Sequence, residues 1–226
     1  MTSVWIFGDS YAHPHDADYA WTNLLKNKGY KIQNCAYRGT GPDYQLSFLK
    51  KLIDGFDTDF TKNVTVIFLI SSVMRFNFKF YDDPHDQVIQ FDNHWASSNQ
   101  HANQLYKKYK KYHKFVKTFY QQYIFHSTYT ETELEKILGY LYLQSNNFNK
   151  ILAWPIFDEV TMKIPYNKRF YIPSKKMFDL EADAGQFGDD FKLNHLSKPK
   201  HYILADQLDN WIRHNKRIDF DKFNKK

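Results

Sequence analysis

The chain has 226 residues, 42% hydrophobic and 25% charged, with a formal net charge of +6. That length and balance exclude a disordered chain and a mini-protein that needs staples to hold its core. The single cysteine, Cys35, excludes a disulfide framework and a four-cysteine zinc site, and makes a reducing compartment the default.

Aromatic residues are unusually frequent, at 19% of the chain. Basic charge with many aromatics invites a nucleic-acid reading. Lysine dominates the basic set, however, and the arginines are confined to Arg38, Arg75, Arg169, Arg213 and Arg217. Arginine is the better reader of phosphates and bases, so a nucleic-acid partner is not expected. No run approaches the ~18 apolar residues of a membrane span. Met1 to Phe7 leads straight into an apolar run with no basic segment before it, unlike a secretory signal. The expectation is a soluble, cytoplasmic protein with no membrane contact.

Strand-like apolar runs occur at Val4–Phe7, Tyr30–Asn34, Val64–Ile70, Lys150–Trp154 and, more weakly, Arg169–Ile172. Helical patterns lie between them. Asp18–Leu25 is the first, stopped by Gly29, which accepts a left-handed conformation. Tyr44–Ile53 is the second, with Asp43 as its cap. Leu105–Tyr123 puts Leu105, Tyr109, Tyr112, Val116, Phe119 and Tyr123 on one stripe and most of its lysines on the other, as a core helix with a solvated face would. Thr130 and Glu133 form a capping-box pattern that starts a helix at Glu131. The last helix covers Lys198–His214, with Tyr202, Leu204, Ala205, Leu208, Trp211 and Ile212 as its apolar set. Asn215–Lys226 reads as a charged tail that frays.

Alternating strands and helices predict an α/β fold, a mainly parallel five-stranded sheet between helical layers. Residues 1–214 form one domain in this reading. Phe76–Asn103 is a long irregular insertion, of the kind that often serves as a functional loop.

In such sheets ligands bind beyond the carboxyl ends of the strands, where the strand order reverses. The residues found there are Gly8-Asp9-Ser10, Asn34 to Gly39, Ser71-Ser72 with Arg75, and Trp154-Pro155. Asn194-His195-Leu196-Ser197 opens the last helix. Each has a plain structural reading too. Ser10 is a possible turn cap, Gly39 a turn residue, and Trp154 either a cleft wall or core packing. His13, His15 and Asp16 are close in sequence, but two histidines around a proline are not a metal-ligand spacing. His85, His94 and His101 complete no metal motif either, so no metal or other cofactor is expected.

Taken together, the early Gly8-Asp9-Ser10, the Asn34-to-Gly39 block and a histidine just before the C-terminal helix resemble the SGNH/GDSL hydrolase family. The order covers the chain from Val4 to Trp211. The first fifty residues, Trp154-Pro155 and His195-Leu196-Ser197 are similar to the divergent GDSL-like proteins of tailed phages. The resemblance implies a flavodoxin-like three-layer αβα sandwich and a serine esterase. In it Ser10 is the nucleophile, His195 its base, and the Ser10 and Gly39 backbone N–H groups the oxyanion donors. Asp9, Arg75 and Trp154 would face a small-molecule or glycan ester, such as an O-acetyl group.

Two positions depart from the family pattern. The aspartate expected three residues before the histidine is Lys192. Asp190 or Asp189 would replace it, or Asn194 or a backbone carbonyl would hold the ring in a Ser–His dyad. The family's Gly-x-Asn-Asp block is absent after the third strand, where Ser72 lies nearest to the missing asparagine and Arg75 could add positive charge. The loss of one oxyanion donor costs about 10²–10³ in turnover. A catalytically degenerate binding or virion protein therefore stays open beside the esterase, as does assembly into an oligomer or particle.

Overall fold

The computed structural model describes residues 2–13, 17–37, 40–79, 88–91, 113–119, 121, 127–165, 167–180 and 196–224. The strands are β1 (Ser3–Phe7), β2 (Lys31–Asn34), β3 (Val64–Ile70), β4 (Phe76–Lys79), β5 (Val88–Phe91), β6 (Lys150–Pro155) and β7 (Phe170–Tyr171). The α-helices are α1 (Trp21–Asn27), α2 (Pro42–Gly55), α3 (Thr58–Thr61), α4 (His113–Phe119), α5 (Ser127–Gln144) and α6 (Lys198–His214).

Five strands form a parallel sheet in the order β2-β1-β3-β6-β7. The side-chain period of two divides each central strand between two cores. Val4 and Ile6, Ile67 and Leu69, and Leu152 and Trp154 point to one face. There they meet Trp21 and Leu25 of α1 and Leu204, Leu208 and Trp211 of α6. Trp5 and Phe7, Val66 and Phe68, and Ile151 and Ala153 point to the other. There they meet Leu49 of α2 and Leu134, Leu138 and Leu141 of α5. Helices cover both faces, so the architecture is the expected α/β three-layer αβα sandwich. β3 is buried along its whole length, which is why it is apolar throughout rather than alternating. The edges are blunt: β2 exposes Lys31 and Gln33, and β7 is only 2 residues long.

Several elements differ from expectation. α2 begins at Pro42 with Gly41 as its cap, so Asp43 sits in the first turn and does not cap. Proline suits that position because its missing N–H has no helical partner there anyway. α5 starts at Ser127, before the Thr130–Glu133 pair. Of the predicted Leu105–Tyr123 helix, α4 is the described helical part. Within the predicted irregular insertion, β4 and β5 pair antiparallel, Phe76 opposite Phe91. The rest of that insertion lies outside the described residues, with His85, His94 and His101.

In α6, His201 is fully buried and Tyr202 is 47% exposed, the reverse of the expected apolar set. Positions 201, 204, 205, 208, 211 and 212 follow the i, i+3, i+4, i+7 rule, and 202 does not. The predicted frayed tail is also packed. Asn215 turns the chain in a left-handed conformation with φ 54°, and Ile218, Phe220 and Phe223 return to the core. Phe220 meets Trp154 edge-on, with ring centroids 6.1 Å apart.

Candidate functional site

The strand order reverses between β1 and β3, because the chain moves outward to β2 and then back past β1. Ser10 follows β1 at that point and is half-buried. Its turn is organised by Asp9. The Asp9 carbonyl accepts the N–H groups of Ala12 (3.1 Å) and His13 (2.9 Å). The Asp9 Oδ1 accepts the Tyr11 N–H at 3.1 Å, and Oδ2 pairs with the Arg75 guanidinium. Asp9 is fully buried, and the Arg75 side chain is 19% exposed. The family resemblance implies that both residues face a substrate. In the structure Asp9 is bonded within its own turn, and its carboxylate matches the positive charge of Arg75.

Gly8 allows this turn to lie flat on the sheet. A Cβ there would come within 3.0 Å of Leu69 and 3.1 Å of Ala12. Asn34, at the end of β2, donates Nδ2–H to the Ala12 carbonyl at 2.7 Å and accepts the Ala36 N–H at 3.0 Å. The next stretch stays bonded to β1 through Cys35 N–H to Ile6 (2.7 Å) and Tyr37 N–H to Gly8 (3.1 Å). Burial pushes the half-buried Cys35 thiol up to about 11, so it is not a reactive thiolate.

After β3, Ser71 is fully buried and donates to the Thr40 carbonyl at 2.8 Å. Gln45 Nε2 completes this bridge with longer bonds to Ser71 Oγ (3.5 Å) and Thr40 Oγ1 (3.4 Å). Ser72 Oγ accepts the Met74 N–H at 3.2 Å and keeps a proton to donate. The turn closes with Arg75 N–H on the Ser72 carbonyl at 3.1 Å. Gly41 lies directly against this turn, and a Cβ on it would fall 2.1 Å from the Arg75 carbonyl oxygen. The Arg75 guanidinium also sits 5.5 Å from the centre of the Phe157 ring, which meets Tyr11 edge-on at 5.9 Å. The exits of β1, β3 and β6 are thus bound into one cluster by Asp9, Arg75, Tyr11 and Phe157.

Asp158 follows Phe157 and takes the Val73 backbone N–H. Burial raises its carboxyl above the ordinary range, more than Val73 and nearby Lys176 lower it. Its Oδ2 is buried and has no hydrogen-bond partner among the described residues. The strand-end rule that selected Trp154-Pro155 reaches Asp158 three residues later, and that was the signal for it. Nothing local pointed to Gly41, or to the Ser71–Thr40–Gln45 bridge. Trp154 takes the core position of its two readings, fully buried, with its indole N–H donated to the Lys175 carbonyl at 2.8 Å.

His195, Asp190, Asp189, Asn194 and Gly39 lie outside the described residues, as do His15 and Asp16. Leu196, beside His195 in sequence, is buried in the cluster that contains Tyr11. A cleft of about 700 Å³ runs along β7, lined by Asp158, Met162, Ile172, Lys176 and Trp211 among others. None of its lining residues belongs to the Ser10, Asn34 or Ser71–Arg75 segments. Among the described residues no three His, Cys, Asp or Glu side chains gather as a metal site, and no helix is long and apolar enough to cross a membrane. Compared with known proteins, the chain matches no family model and no curated protein.

Proposed function

We propose that the chain is an acyl-ester hydrolase with Ser10 as its nucleophile. One observation carries this reading. Ser10 is half-buried, still partly open to solvent, in a braced turn after β1, at the strand-order reversal of a parallel sheet. A serine hydroxyl needs a base, and His195 is the candidate. Ser10 Oγ attacks the ester carbonyl and passes its proton to the imidazole. The imidazolium protonates the departing alkoxide, and a water molecule releases the acyl group by the reverse proton path. The backbone N–H groups of Ser10 and Gly39, with the Ser72 hydroxyl, would stabilise the oxyanion. Asp190 would orient the imidazole. No step calls for a metal or other cofactor. Hydrolysis of p-nitrophenyl acetate tests the proposal. Turnover is expected in the parent and at least a thousandfold loss in Ser10→Ala, and equal rates in the two would overturn it.

The absent asparagine block favours a second reading. Ser71 is spent on the Thr40 carbonyl, and Asp9 neutralises Arg75, so neither replaces a lost donor. In that reading the fold is a catalytically inert recognition or virion component, carried in a particle rather than working free in a host cytoplasm. A fluorophosphonate probe separates the two, since covalent labelling at Ser10 requires an activated serine.

A further inference from the structure

His201 is fully buried on the face of α6 that packs against α1. Its Nδ1 accepts the Trp21 N–H at 3.2 Å. A backbone N–H can only donate, so Nδ1 must keep its lone pair and the ring proton must sit on Nε2. Trp21 is the first residue of α1, and the helix has no capping side chain of its own to take that N–H.

The same Trp21 reaches the candidate site. Its side chain is fully buried, and the indole Nε1–H donates to the Tyr11 carbonyl at 2.9 Å. Tyr11 follows Ser10 directly, inside the turn that the Ala12 and His13 N–H groups close on the Asp9 carbonyl. One residue therefore joins His201 to the Ser10 turn, through its main chain on one side and its indole on the other.

That join needs a neutral imidazole. A proton on Nδ1 would set donor against donor at a position with no exposure to water. The described surroundings do not favour a charged ring. Tyr19 meets it edge-on at 5.8 Å, and the Lys198 ammonium, a like charge, stands over the Tyr19 ring at 5.2 Å. Asp18, next to Tyr19 in the chain, is exposed. Further along α6, Asp206 and Asp209 are engaged by Lys28 and Arg213.

We propose that His201 is an acid-sensitive latch: neutral, it holds the first turn of α1 and, through Trp21, the Ser10 turn, and on protonation it releases both. That the released turn carries a nucleophile rests on the function proposed above. The latch itself does not.

The folded arrangement requires the neutral ring, while an unfolded or locally opened chain takes up a proton with the ordinary imidazole pKa of ~6.5. The contribution of the latch is therefore full above that pH and falls below it, by about tenfold in the opening equilibrium one unit lower. His201→Asn is the control, because its side-chain oxygen accepts the same N–H at every pH. Between about pH 7.5 and pH 5.5 the parent should lose roughly 2–4 °C more in Tm than the variant. Over the same interval, hydrogen-exchange protection of the Trp21, Ala12 and His13 amides should fall about tenfold further in the parent than in the variant. Equal losses in the two proteins overturn the latch. A loss at Trp21 that spares Ala12 and His13 overturns its reach to the Ser10 turn. Nitrogen-15 NMR of the parent decides the matter even if the variant does not fold: the His201 ring should be the neutral Nε2–H tautomer at about pH 7.5, and an Nδ1–H or charged ring there overturns the latch. A working latch in a protein without p-nitrophenyl acetate turnover overturns the esterase alone.

Discussion

Asp9 and Arg75 stand 66 positions apart and act as one unit. The carboxylate is wholly buried, while the guanidinium keeps some water contact. Removing either partner strands the other, and the stranded carboxylate is the costlier case. Arg75→Met should therefore cost about 3–5 kcal/mol, with Asp9→Asn at the lower end of that range or below it. Urea unfolding of both variants checks the order, and the reverse order would refute it. Asp158 is the opposite case. Burial raises its carboxyl, so the folded state prefers it neutral. Its favourable contribution is full below the unfolded pKa of about 3.9 and is lost as pH rises through the higher folded value. Asp158→Asn should raise Tm at about pH 7.5, and the gain should vanish near about pH 4. A lower Tm at the higher pH would contradict this. A carboxyl kept at a cost to stability is what a functional edge would retain.

Helix ends in this protein are served by other elements. α1 has Ala20 as its cap and no capping side chain of its own. His201 of α6 accepts the Trp21 N–H at 3.2 Å in its place. Lys150 of β6 donates to the Trp211 (3.3 Å) and Ile212 (2.7 Å) carbonyls at the end of α6, where a cation also opposes the helix dipole. Two glycines, one capping a helix and one inside a helix, make opposite predictions. Gly41, against the Arg75 carbonyl, leaves no room for a methyl group, so Gly41→Ala should cost about 1–3 kcal/mol and disturb the Ser72–Arg75 turn. Gly139, inside α5, has nothing within 4 Å of an added Cβ. Gly139→Ala should stabilise by roughly 0.5–1 kcal/mol, because alanine loses less backbone freedom in a helix. Chemical denaturation of both reads the sign directly.

At the scale of the molecule, many of the aromatics among the described residues pack in the two cores and their rims. Phe7 stacks on Phe68 at 5.5 Å, and Trp5 gathers Phe56, Phe60 and Phe148 within 5.4–6.0 Å. The C-terminal segment extends the same packing. Ile218, Phe220 and Phe223 are each at most 9% exposed. Buried side chains of this kind contribute about 1.5–3 kcal/mol each, so deletion from Lys216 onward should lower Tm on the order of 10 °C. An unchanged Tm would show that the segment is not packed.

The sheet was legible because its signals are short-range. Val64–Ile70 reads as a buried strand from its own residues, and Lys198–His214 shows its helix through its own period and ends. The Gly8-Asp9-Ser10 turn could be placed after β1 for the same reason. Three features were not legible. The tail looked frayed because its charges outnumber Ile218, Phe220 and Phe223, which count only once Trp154 is beside them. His201 looked polar until the α6 stripe was set against α1. The Ser71–Thr40–Gln45 bridge joins hydroxyls that no local pattern connects.

The sequence alone determined the five strands of the parallel sheet, the main helices that flank them, and that a serine follows the first strand. Local periodicity and chain chemistry carry that much. Only the tertiary structure decided that Arg75 answers Asp9, that Gly41 must yield to the Arg75 backbone, and that His201 meets the Trp21 N–H. Those meetings depend on the strand order β2-β1-β3-β6-β7. That order is set by burying both faces of the sheet at once, a property of the whole chain and of no segment in it.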